Sequence, residues 1–300
     1  MDLTYIILCG GLSTRNFPHS KGIAHKSLLP FGSLRIIDYI LKDIFAAGGK
    51  DIVFVCQNEK AIEKFKEAFE PTPEIEKRLK SNPKTKEIGN LLDKVKIPNR
   101  VKIRYIVQKK PRGNGHAFGV GCRLAGNKDA VMIFPDDLYL HKDPKKMYFK
   151  KMITAFGKNK KQIMITGIKM EDVSNNSILE KGRLIEKPKI PTSNIGGFSP
   201  MIFPKELCSF MRIMTDEIDK GKKIPGFEQN KEYIYTDMIN AFLDVNEKKG
   251  FKVKMYLKDD NSTYMDTGNL VLYEQALLYS LLNESAFKKE HMSFIKNLKK

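Results

Sequence analysis

The first thirty residues constrain the chain most, because a short apolar run, Tyr5–Cys9, is broken at once by the paired glycines Gly10 and Gly11. This pattern predicts a buried strand whose following turn brings backbone N–H groups close to an anion, since glycines lack the β-carbons that would block the approach. Arg15 adds a forked donor suited to a polyphosphate, and Lys26 follows eleven residues later. The segment therefore predicts a nucleotide triphosphate site, although an ordinary strand-to-helix turn fits it equally well. It is neither a P-loop nor a dinucleotide-binding fingerprint.

Strand-like and helical patterns alternate through the first half of the chain. This βαβ rhythm predicts an α/β fold with a mostly parallel sheet that is covered by helices on both faces. Binding sites in such sheets lie beyond the carboxyl ends of the strands, which is where the polar motifs of this chain fall. The strand-like runs are Tyr5–Cys9, Asp51–Cys56, Val101–Val107 and Ala130–Phe134, and the helical patterns are Ile36–Ala47 and Lys60–Phe69.

The remainder of the chain is less regular. A polar stretch punctuated by prolines, Pro71–Arg100, predicts a partly helical excursion from the sheet. Strands are predicted near Gln162–Lys169 and Leu184–Lys187, followed by an irregular segment over Pro191–Phe203. A last helix is predicted over about Leu270–Leu282, with a lysine-rich terminus that frays. No internal repeat or flexible linker is present, so we predict one domain.

Composition limits the partners that the chain can have. Hydrophobic residues make up 41% and charged residues 29%, as in folded soluble proteins, and no apolar run approaches the ~18 residues of a membrane span. We therefore expect a cytoplasmic protein without a membrane partner. The net charge of +18 suggests nucleic acid, but only nine of the 53 basic residues are arginine, which is typical of a solvated surface. We expect no nucleic-acid partner.

The four cysteines form no C-x-x-C pair and predict neither a zinc site nor a disulfide framework.

A second glycine-containing segment, Gln108–Ala117, follows a predicted strand. Its glycines, Gly113 and Gly115, allow the backbone to approach a planar ring closely. The amide of Gln108 offers one donor and one acceptor, which suits the edge of a pyrimidine base. Taken alone, the segment is more typical of a glycine turn that starts a helix.

Carboxylates end two further apolar runs. Asp136 and Asp137 follow one predicted strand, and Asp266 lies far away in the chain. Magnesium ions prefer such oxygen ligands, and two carboxylates from distant segments could hold one ion across an α-phosphate. Each aspartate alone is more typical of a helix cap or a turn.

Glu186 and Lys187 also end a strand and suit a sugar phosphate, although a salt-bridged strand end fits them as well.

Taken in order, these motifs resemble those of the sugar nucleotidyltransferases, most closely the bacterial uridylyltransferases that act on glucose 1-phosphate. The resemblance covers roughly residues 3–282, including an insertion at 58–100. The matched positions are Gly10–Arg15, Pro18, Ser20, Lys21 and Lys26–Pro30 in the opening motif, Gln108, Gly113 and Gly115–Ala117 in the base motif, then Pro135, Asp136, Glu186–Pro188, Ser193, Asn194, Thr236, Asp237, Asp266, Gly268 and Asn269.

The resemblance implies an α/β, Rossmann-like nucleotidyltransferase fold with a mixed, mostly parallel sheet flanked by helices. It also implies transfer of a uridylyl group from UTP to glucose 1-phosphate, dependent on Mg²⁺, by a homo-oligomer (dimer or tetramer). Its partners would be a nucleotide triphosphate and a sugar 1-phosphate. The single domain of residues 1–300 would comprise a nucleotide-binding half (about 3–140, with the insertion), a sugar-binding half (about 141–260) and a segment with a metal ligand and the C-terminal helix (about 261–300). The implied catalytic residues are Arg15, Lys26 and Lys187, the metal ligands Asp136 and Asp266, and the substrate-binding residues Gly10, Gly11, Leu12, Gln108, Gly113, Asp137, Glu186 and Asn194.

The chain departs from the family pattern around the sugar and the first loop. Ser13 stands in place of a glycine, and Ser27 in place of the glutamate of uridylyltransferases. Asn176 and Ser177 replace a Tyr-Gly pair, and Ser199 replaces another glycine. The identity of the sugar is therefore open. A thymidylyltransferase acting on the same sugar and a non-catalytic regulatory protein that binds sugar nucleotides are the alternatives.

Overall fold

The computed structural model describes residues 1–224, 227 and 232–298. Residues 225–226 and 228–231 of the predicted sugar-binding half, and Lys299 and Lys300 of the predicted frayed terminus, lie outside this range. The strands are β1 Leu3–Cys9, β2 Pro30–Phe31, β3 Leu34–Arg35, β4 Asp51–Cys56, β5 Lys102–Val107, β6 Asp129–Ile133, β7 Asp137–His141, β8 Gln162–Lys169, β9 Ser177–Glu180, β10 Arg183–Glu186, β11 Ile195–Phe203, β12 Lys252–Leu257 and β13 Ser262–Asp266.

Helices occupy most of the segments between these strands. In the part of the chain that the structure describes, none is long and apolar enough to cross a membrane. The helices are α1 Ile36–Ala46, α2 Glu59–Phe69, α3 Pro73–Ser81, α4 Lys86–Asp93, α5 Asn114–Ala125, α6 Tyr148–Lys158, α7 Lys205–Asp219, α8 Tyr235–Val245, α9 Leu270–Asn283 and α10 Lys288–Leu298.

Nine of the described strands form one sheet. Its order is β10-β9-β11-β6-β1-β4-β5, with β8 paired to β11 and β12 paired to β8. Strands β4, β5 and β6 run parallel to β1, whereas β11 runs antiparallel to β6. Because β8 and β9 are antiparallel to β11, only β10 and β11 oppose the common direction of the described strands. The prediction of a mixed, mostly parallel sheet is confirmed.

The central strand β1 is buried along its whole length, which is why its sequence is a continuous apolar run. Its side chains alternate between two cores, since successive residues of a strand point to opposite faces. Tyr5 and Ile7 belong to the core that includes residues of α1, α2, α6 and α9. Ile6 and Leu8 belong to the core that includes residues of α5, α7 and α8. The sheet is therefore covered by helices on both faces, as predicted.

Two predictions about irregular segments are wrong. Pro191–Phe203 contains β11, which is almost entirely buried and joins β8 to β6. Glycines and a proline in this segment concealed the strand, whose register shifts between Phe198 and Met201. The lysine-rich terminus is not frayed over Lys288–Leu298, where α10 packs against α9. The predicted excursion, by contrast, is partly helical as expected, because it contains α3 and α4.

Close packing between α5 and α7 depends on Gly119. A β-carbon at this position would overlap the Thr215 hydroxyl and lie 2.6 Å from the carbonyl oxygen of Met211. The glycine therefore lets the two helices approach closely. Helix α5 begins at Asn114, directly after the segment that follows Gln108. In α6, a β-carbon on Gly157 would meet only the flexible end of Met1, at 2.6 Å.

We predict that Gly119→Ala lowers the free energy of unfolding by about 1–3 kcal/mol, because the backbone of α7 must shift. The matched substitution Gly157→Ala is expected to be neutral or stabilising by up to about 1 kcal/mol, since alanine favours the helix and Met1 can move away. Urea unfolding followed by circular dichroism measures both effects. Equal losses from the two substitutions would contradict the packing argument.

Candidate active site

The carboxyl edge of the sheet brings distant parts of the chain together. Strands β7 and β13 form an antiparallel ladder in which Asp137 is paired with Asp266. Asp136 immediately precedes β7, and its carbonyl oxygen accepts a hydrogen bond from the N–H of Thr267 at 3.0 Å. The ladder therefore places the two predicted metal ligands, Asp136 and Asp266, beside each other despite their separation in sequence.

Both carboxylates lie close to Gly268. A β-carbon on residue 268 would lie 2.8 Å from Asp266 Oδ1 and 3.1 Å from Asp136 Oδ2, so a larger residue would fill the space between them. Burial raises the pKa of Asp266 more than the Gly268 N–H lowers it, and the charge of Asp136 adds to the rise. Among the described residues, no group of three or more His, Cys, Asp or Glu side chains could hold a metal ion unaided. A cation here would therefore need ligands besides the protein's two carboxylates.

Lys26 balances part of this negative charge. Its Nζ lies 2.6 Å from Asp136 Oδ2, and the two side chains are only 9% and 22% exposed. Burial alone would raise the pKa of Asp136, but the charge and hydrogen bond of the Lys26 ammonium hold it below its ordinary value. The backbone N–H of Lys26 donates to Ser13 Oγ at 3.0 Å. Lys26 is thus tied both to the first loop and to a predicted metal ligand.

A cavity of about 200 Å³ opens beside Lys26. The turn after β1 forms one wall, and His25 and Gly268 complete the lining with Lys26. Burial, followed by the charge of Lys26, lowers the pKa of His25 to about 3, so this ring is neutral. The positive charge of the lining therefore comes from Arg15 and Lys26, which suits a polyanion. The predicted triphosphate residues brought together here are Gly11, Leu12, Arg15 and Lys26.

Gln108 approaches the same turn from the end of β5. The amide is buried, and its Oε1 lies 2.8 Å from the place that a β-carbon on Gly10 would take. Gly10 therefore makes room for Gln108, a contact that the sequence did not predict. Gly113 has a φ of 96° and packs against the backbone of Tyr233, whose carbonyl oxygen would lie 2.7 Å from a β-carbon. The base contacts of Gln108 and Gly113 stay predictions.

The predicted sugar residues lie on the far side of β11 and β9, at the end of β10. Glu186 Oε2 and Thr236 Oγ1 are buried, and a contact between the two side chains is among the interactions that lower the pKa of Glu186. Burial raises the pKa of Glu186 more than the charge of Lys187 lowers it. Lys187 is exposed and has a φ of 46°, an uncommon conformation for a residue with a side chain. Asn194 is exposed in the loop before β11.

Asp137 is held by protein groups on both oxygens. Its Oδ2 accepts a hydrogen bond from the N–H of Ser199 at 2.8 Å, and its Oδ1 accepts one from the Tyr264 hydroxyl at 2.8 Å. Burial and the neighbouring charge of Asp136 raise the pKa of Asp137 to about 7. These contacts brace β7 against β11 and β13. A contact of Asp137 with substrate stays a prediction.

A comparison with protein families matches this architecture to a known group. The family model described as Nucleotidyl transferase matches residues 4–279, nearly the whole chain. The chain belongs to the nucleotidyl transferase family. The prediction that the protein is a nucleotidyltransferase enzyme is confirmed, and the non-catalytic alternative is not favoured.

Individual relatives agree with this assignment. The chain is 28% identical over 317 residues to the UTP–glucose-1-phosphate uridylyltransferase of Haemophilus influenzae, with 98% of each chain covered. It is 33% identical over 272 residues to the enzyme of the same name from Haemophilus ducreyi, covering 82% of this chain and 89% of the relative. The structure resembles a UDP-glucose pyrophosphorylase from Acinetobacter baumannii, with a TM-score of 0.79, 19% identity, and 99% and 100% of the chains covered. That likeness confirms the predicted Rossmann-like nucleotidyltransferase fold.

Sequence reasoning missed two residues that hold this candidate site together. The buried Asn16 donates from Nδ2 to the carbonyl oxygen of Thr267 at 3.1 Å, which ties the first loop to the C-terminal segment. No local pattern reveals this contact. Tyr264, which binds Asp137, lies in β13, and the β-branched and aromatic residues of Ser262–Asp266 could have indicated that strand.

The buried, neutral His25 predicts a pH-dependent stability. Its folded pKa of about 3 lies below the ordinary 6.5, so the unfolded chain takes up the proton first as pH falls. The contribution is therefore fully present above about pH 6.5 and is lost below it. Between pH 7 and pH 5 the native chain should lose about 2 kcal/mol more stability than the His25→Asn variant.

Urea unfolding at the two pH values measures this difference, and His19→Asn, which removes an exposed histidine, is the matched control. The control should keep the pH dependence of the native chain. An unchanged pH dependence in His25→Asn would contradict the assignment of a neutral, buried imidazole.

Proposed function

We propose that the enzyme transfers a uridylyl group from UTP to glucose 1-phosphate, giving UDP-glucose and pyrophosphate, with the help of Mg²⁺. The observation that carries this proposal is the cationic cavity of Arg15 and Lys26 directly beside the paired carboxylates of Asp136 and Asp266. The substrates are taken from the similar Haemophilus proteins, which are named for UTP and glucose 1-phosphate.

The reaction brings two anions together. A phosphate oxygen of the sugar phosphate attacks the α-phosphorus of UTP, the bond from that phosphorus to the bridging oxygen breaks, and pyrophosphate leaves. No covalent enzyme intermediate is required, so positioning and charge neutralisation carry the catalysis. Arg15 and Lys26 bind the triphosphate and stabilise the departing pyrophosphate. Lys187 orients the phosphate of the sugar.

The residues of the paired carboxylates fit a magnesium ion. Asp136 and Asp266 supply the hard oxygen ligands that Mg²⁺ prefers, and Gly268 leaves open the space between them. A bound ion would neutralise charge on the α-phosphate. The remaining ligands would be phosphate and water oxygens, which agrees with a site that contains only two protein carboxylates. Lys26 holds Asp136 in its ionised form before the ion arrives.

A sugar would satisfy the buried polar atoms at the end of β10. Glu186 Oε2 and Thr236 Oγ1 are buried, and the contact between their two side chains leaves hydrogen-bonding capacity unused. Hydroxyl groups of a hexose can donate to the carboxylate and hydrogen-bond with the threonine. Exposed Asn194 lies in the loop at the start of β11 and completes the proposed sugar contacts.

We further propose a homo-oligomer, which α9 supports because it leaves Val271 and Leu278 more than half exposed, at 61% and 56%.

The insertion that carries α3 and α4 favours UTP over dTTP, through its resemblance to the uridylyltransferases. Uracil and thymine present the same imide edge, so Gln108 would not distinguish them.

The activity is tested by pyrophosphate release with Mg²⁺ and glucose 1-phosphate, with UTP, dTTP, ATP, CTP and GTP supplied separately. We expect release with UTP. Release with dTTP in preference to UTP would make the enzyme a thymidylyltransferase and contradict the proposal. If glucose 1-phosphate supports no release with any nucleotide, the proposed sugar is wrong.

The metal site is tested by a binding measurement that does not depend on turnover. We predict that Lys26→Met strengthens Mn²⁺ binding in the absence of nucleotide by at least about tenfold, because the two carboxylates lose their ammonium counter-charge. The same substitution should lower turnover, since it removes a triphosphate contact. Electron paramagnetic resonance of free Mn²⁺ measures the affinity.

Lys151→Met is the matched control, because Lys151 also pairs with an aspartate, Asp259, at 2.7 Å, but on the surface. It should leave Mn²⁺ binding unchanged. Thermal unfolding checks that both variants are folded. Unchanged or weaker Mn²⁺ binding in folded Lys26→Met would contradict a metal site at Asp136 and Asp266.

A further inference from the structure

The amide of Gln108 has a fixed orientation in the structure. Its Nε2 lies 3.0 Å from Nδ1 of His116 and donates to the carbonyl oxygen of Gly113 at 3.3 Å. Both amide hydrogens therefore have an acceptor within the protein. The side-chain oxygen of Gln108, Oε1, instead faces the turn after β1 at Gly10. Gln108 consequently presents an acceptor to that turn.

This orientation depends on the tautomer of His116. Nδ1 can accept the hydrogen bond from Gln108 only if the ring is neutral and its hydrogen is on Nε2. His116 is only 1% exposed, and burial lowers its pKa more than its contact with Asp219 raises it. Nε2 lies 3.1 Å from Asp219 Oδ1, an acceptor that fixes the hydrogen on that nitrogen.

The carboxylate of Asp219 is itself held in place. Arg123 donates from Nη2 to Asp219 Oδ2 at 2.6 Å and from Nε to Asp216 Oδ1 at 2.8 Å. Arg112 is the other charged group that acts on His116, and its charge also favours the neutral ring. The chain of contacts thus runs from α7, through His116 on α5, to the amide at the end of β5.

We propose that His116 and Asp219 are positioning residues that lock the carbonyl oxygen of Gln108 toward the nucleobase. The locked acceptor selects a base that presents an N–H at this point, as the imide of uracil does. Cytosine carries an acceptor nitrogen in the same ring position, and two facing acceptors repel each other. This inference rests on the proposed uridylyl transfer and extends it from Gln108 to the residues behind it.

The lock is tested with Asp219→Ala in the full-length chain. Without the carboxylate, His116 can carry its hydrogen on Nδ1, and the amide of Gln108 then turns. We expect the ratio of kcat/KM for UTP to that for CTP to fall at least about tenfold, mainly through KM. Asp216→Ala is the matched control, because Asp216 binds the same arginine from the same helix without contacting His116. The ratio of kcat/KM for UTP to that for CTP in Asp216→Ala should equal the ratio of the native chain.

A second variant, His116→Phe, removes the acceptor while keeping a ring, and should lower the ratio similarly if Asp219→Ala does not fold. A native ratio in a folded variant of either residue would overturn the proposal. An equal loss with both nucleotides would also overturn it, because a merely structural role lowers both together.

Calorimetric binding of UTP and CTP separates this inference from the proposed function. If the native chain releases no pyrophosphate from UTP, the proposed reaction fails, but the lock still requires tighter binding of UTP than of CTP. The lock also requires that Asp219→Ala reduce the ratio of UTP to CTP affinity at least about tenfold, as predicted for the ratio of kcat/KM values. Equal binding of the two nucleotides to the native chain would overturn the lock.

Discussion

The ladder between β7 and β13 is the contact on which the site depends. It joins a segment near the end of the chain to the carboxyl edge of a sheet that the first half builds. Because side chains alternate along a strand, a shift of one residue in this ladder would turn Asp266 away from Asp136. Thr267 fixes the register by donating to the Asp136 carbonyl oxygen, and Asn16 binds Thr267 from the first loop. No local part of the chain carries the site, which exists only when these three segments are assembled.

Charge is unevenly balanced at this edge. Three carboxylates, Asp136, Asp137 and Asp266, lie close together, while the Lys26 ammonium pairs with Asp136. Asp136 keeps its charge because of that contact, whereas burial raises the pKa values of the other two. The raised pKa of Asp137 is tolerated because protein donors bind both of its oxygens. Negative charge without a full protein counterpart supports the proposal that a cation and an anionic nucleotide bind together.

The sequence predicted the parallel strands of the first half well because they are short apolar runs; Asp51–Cys56, for example, has the predicted bounds. It failed for β11, whose glycines and proline are typical of loops although the strand is buried between neighbours. The candidate site was predicted as a set of residue types in a known order. Contacts such as Gln108 with Gly10 were not, because they depend on how separate strands are placed in the sheet rather than on any local pattern.

The serines that replace family residues differ in what they touch. Ser13 Oγ accepts the N–H of Lys26, and Ser199 Oγ accepts the N–H of Phe134 just after β6, so both hydroxyls support the backbone of the proposed nucleotide side. Ser177 lies at the proposed sugar side, where the hairpin register pairs it with Glu186. Its hydroxyl is 2.6 Å from that of Tyr235, and the pair is buried. A hydroxyl that supports the backbone leaves the substrate unaffected, whereas one beside the carboxylate of Glu186 would alter the proposed sugar pocket itself. Any change in sugar preference should therefore originate at Ser177 and Tyr235, while Ser13 and Ser199 preserve the geometry of the proposed phosphate site.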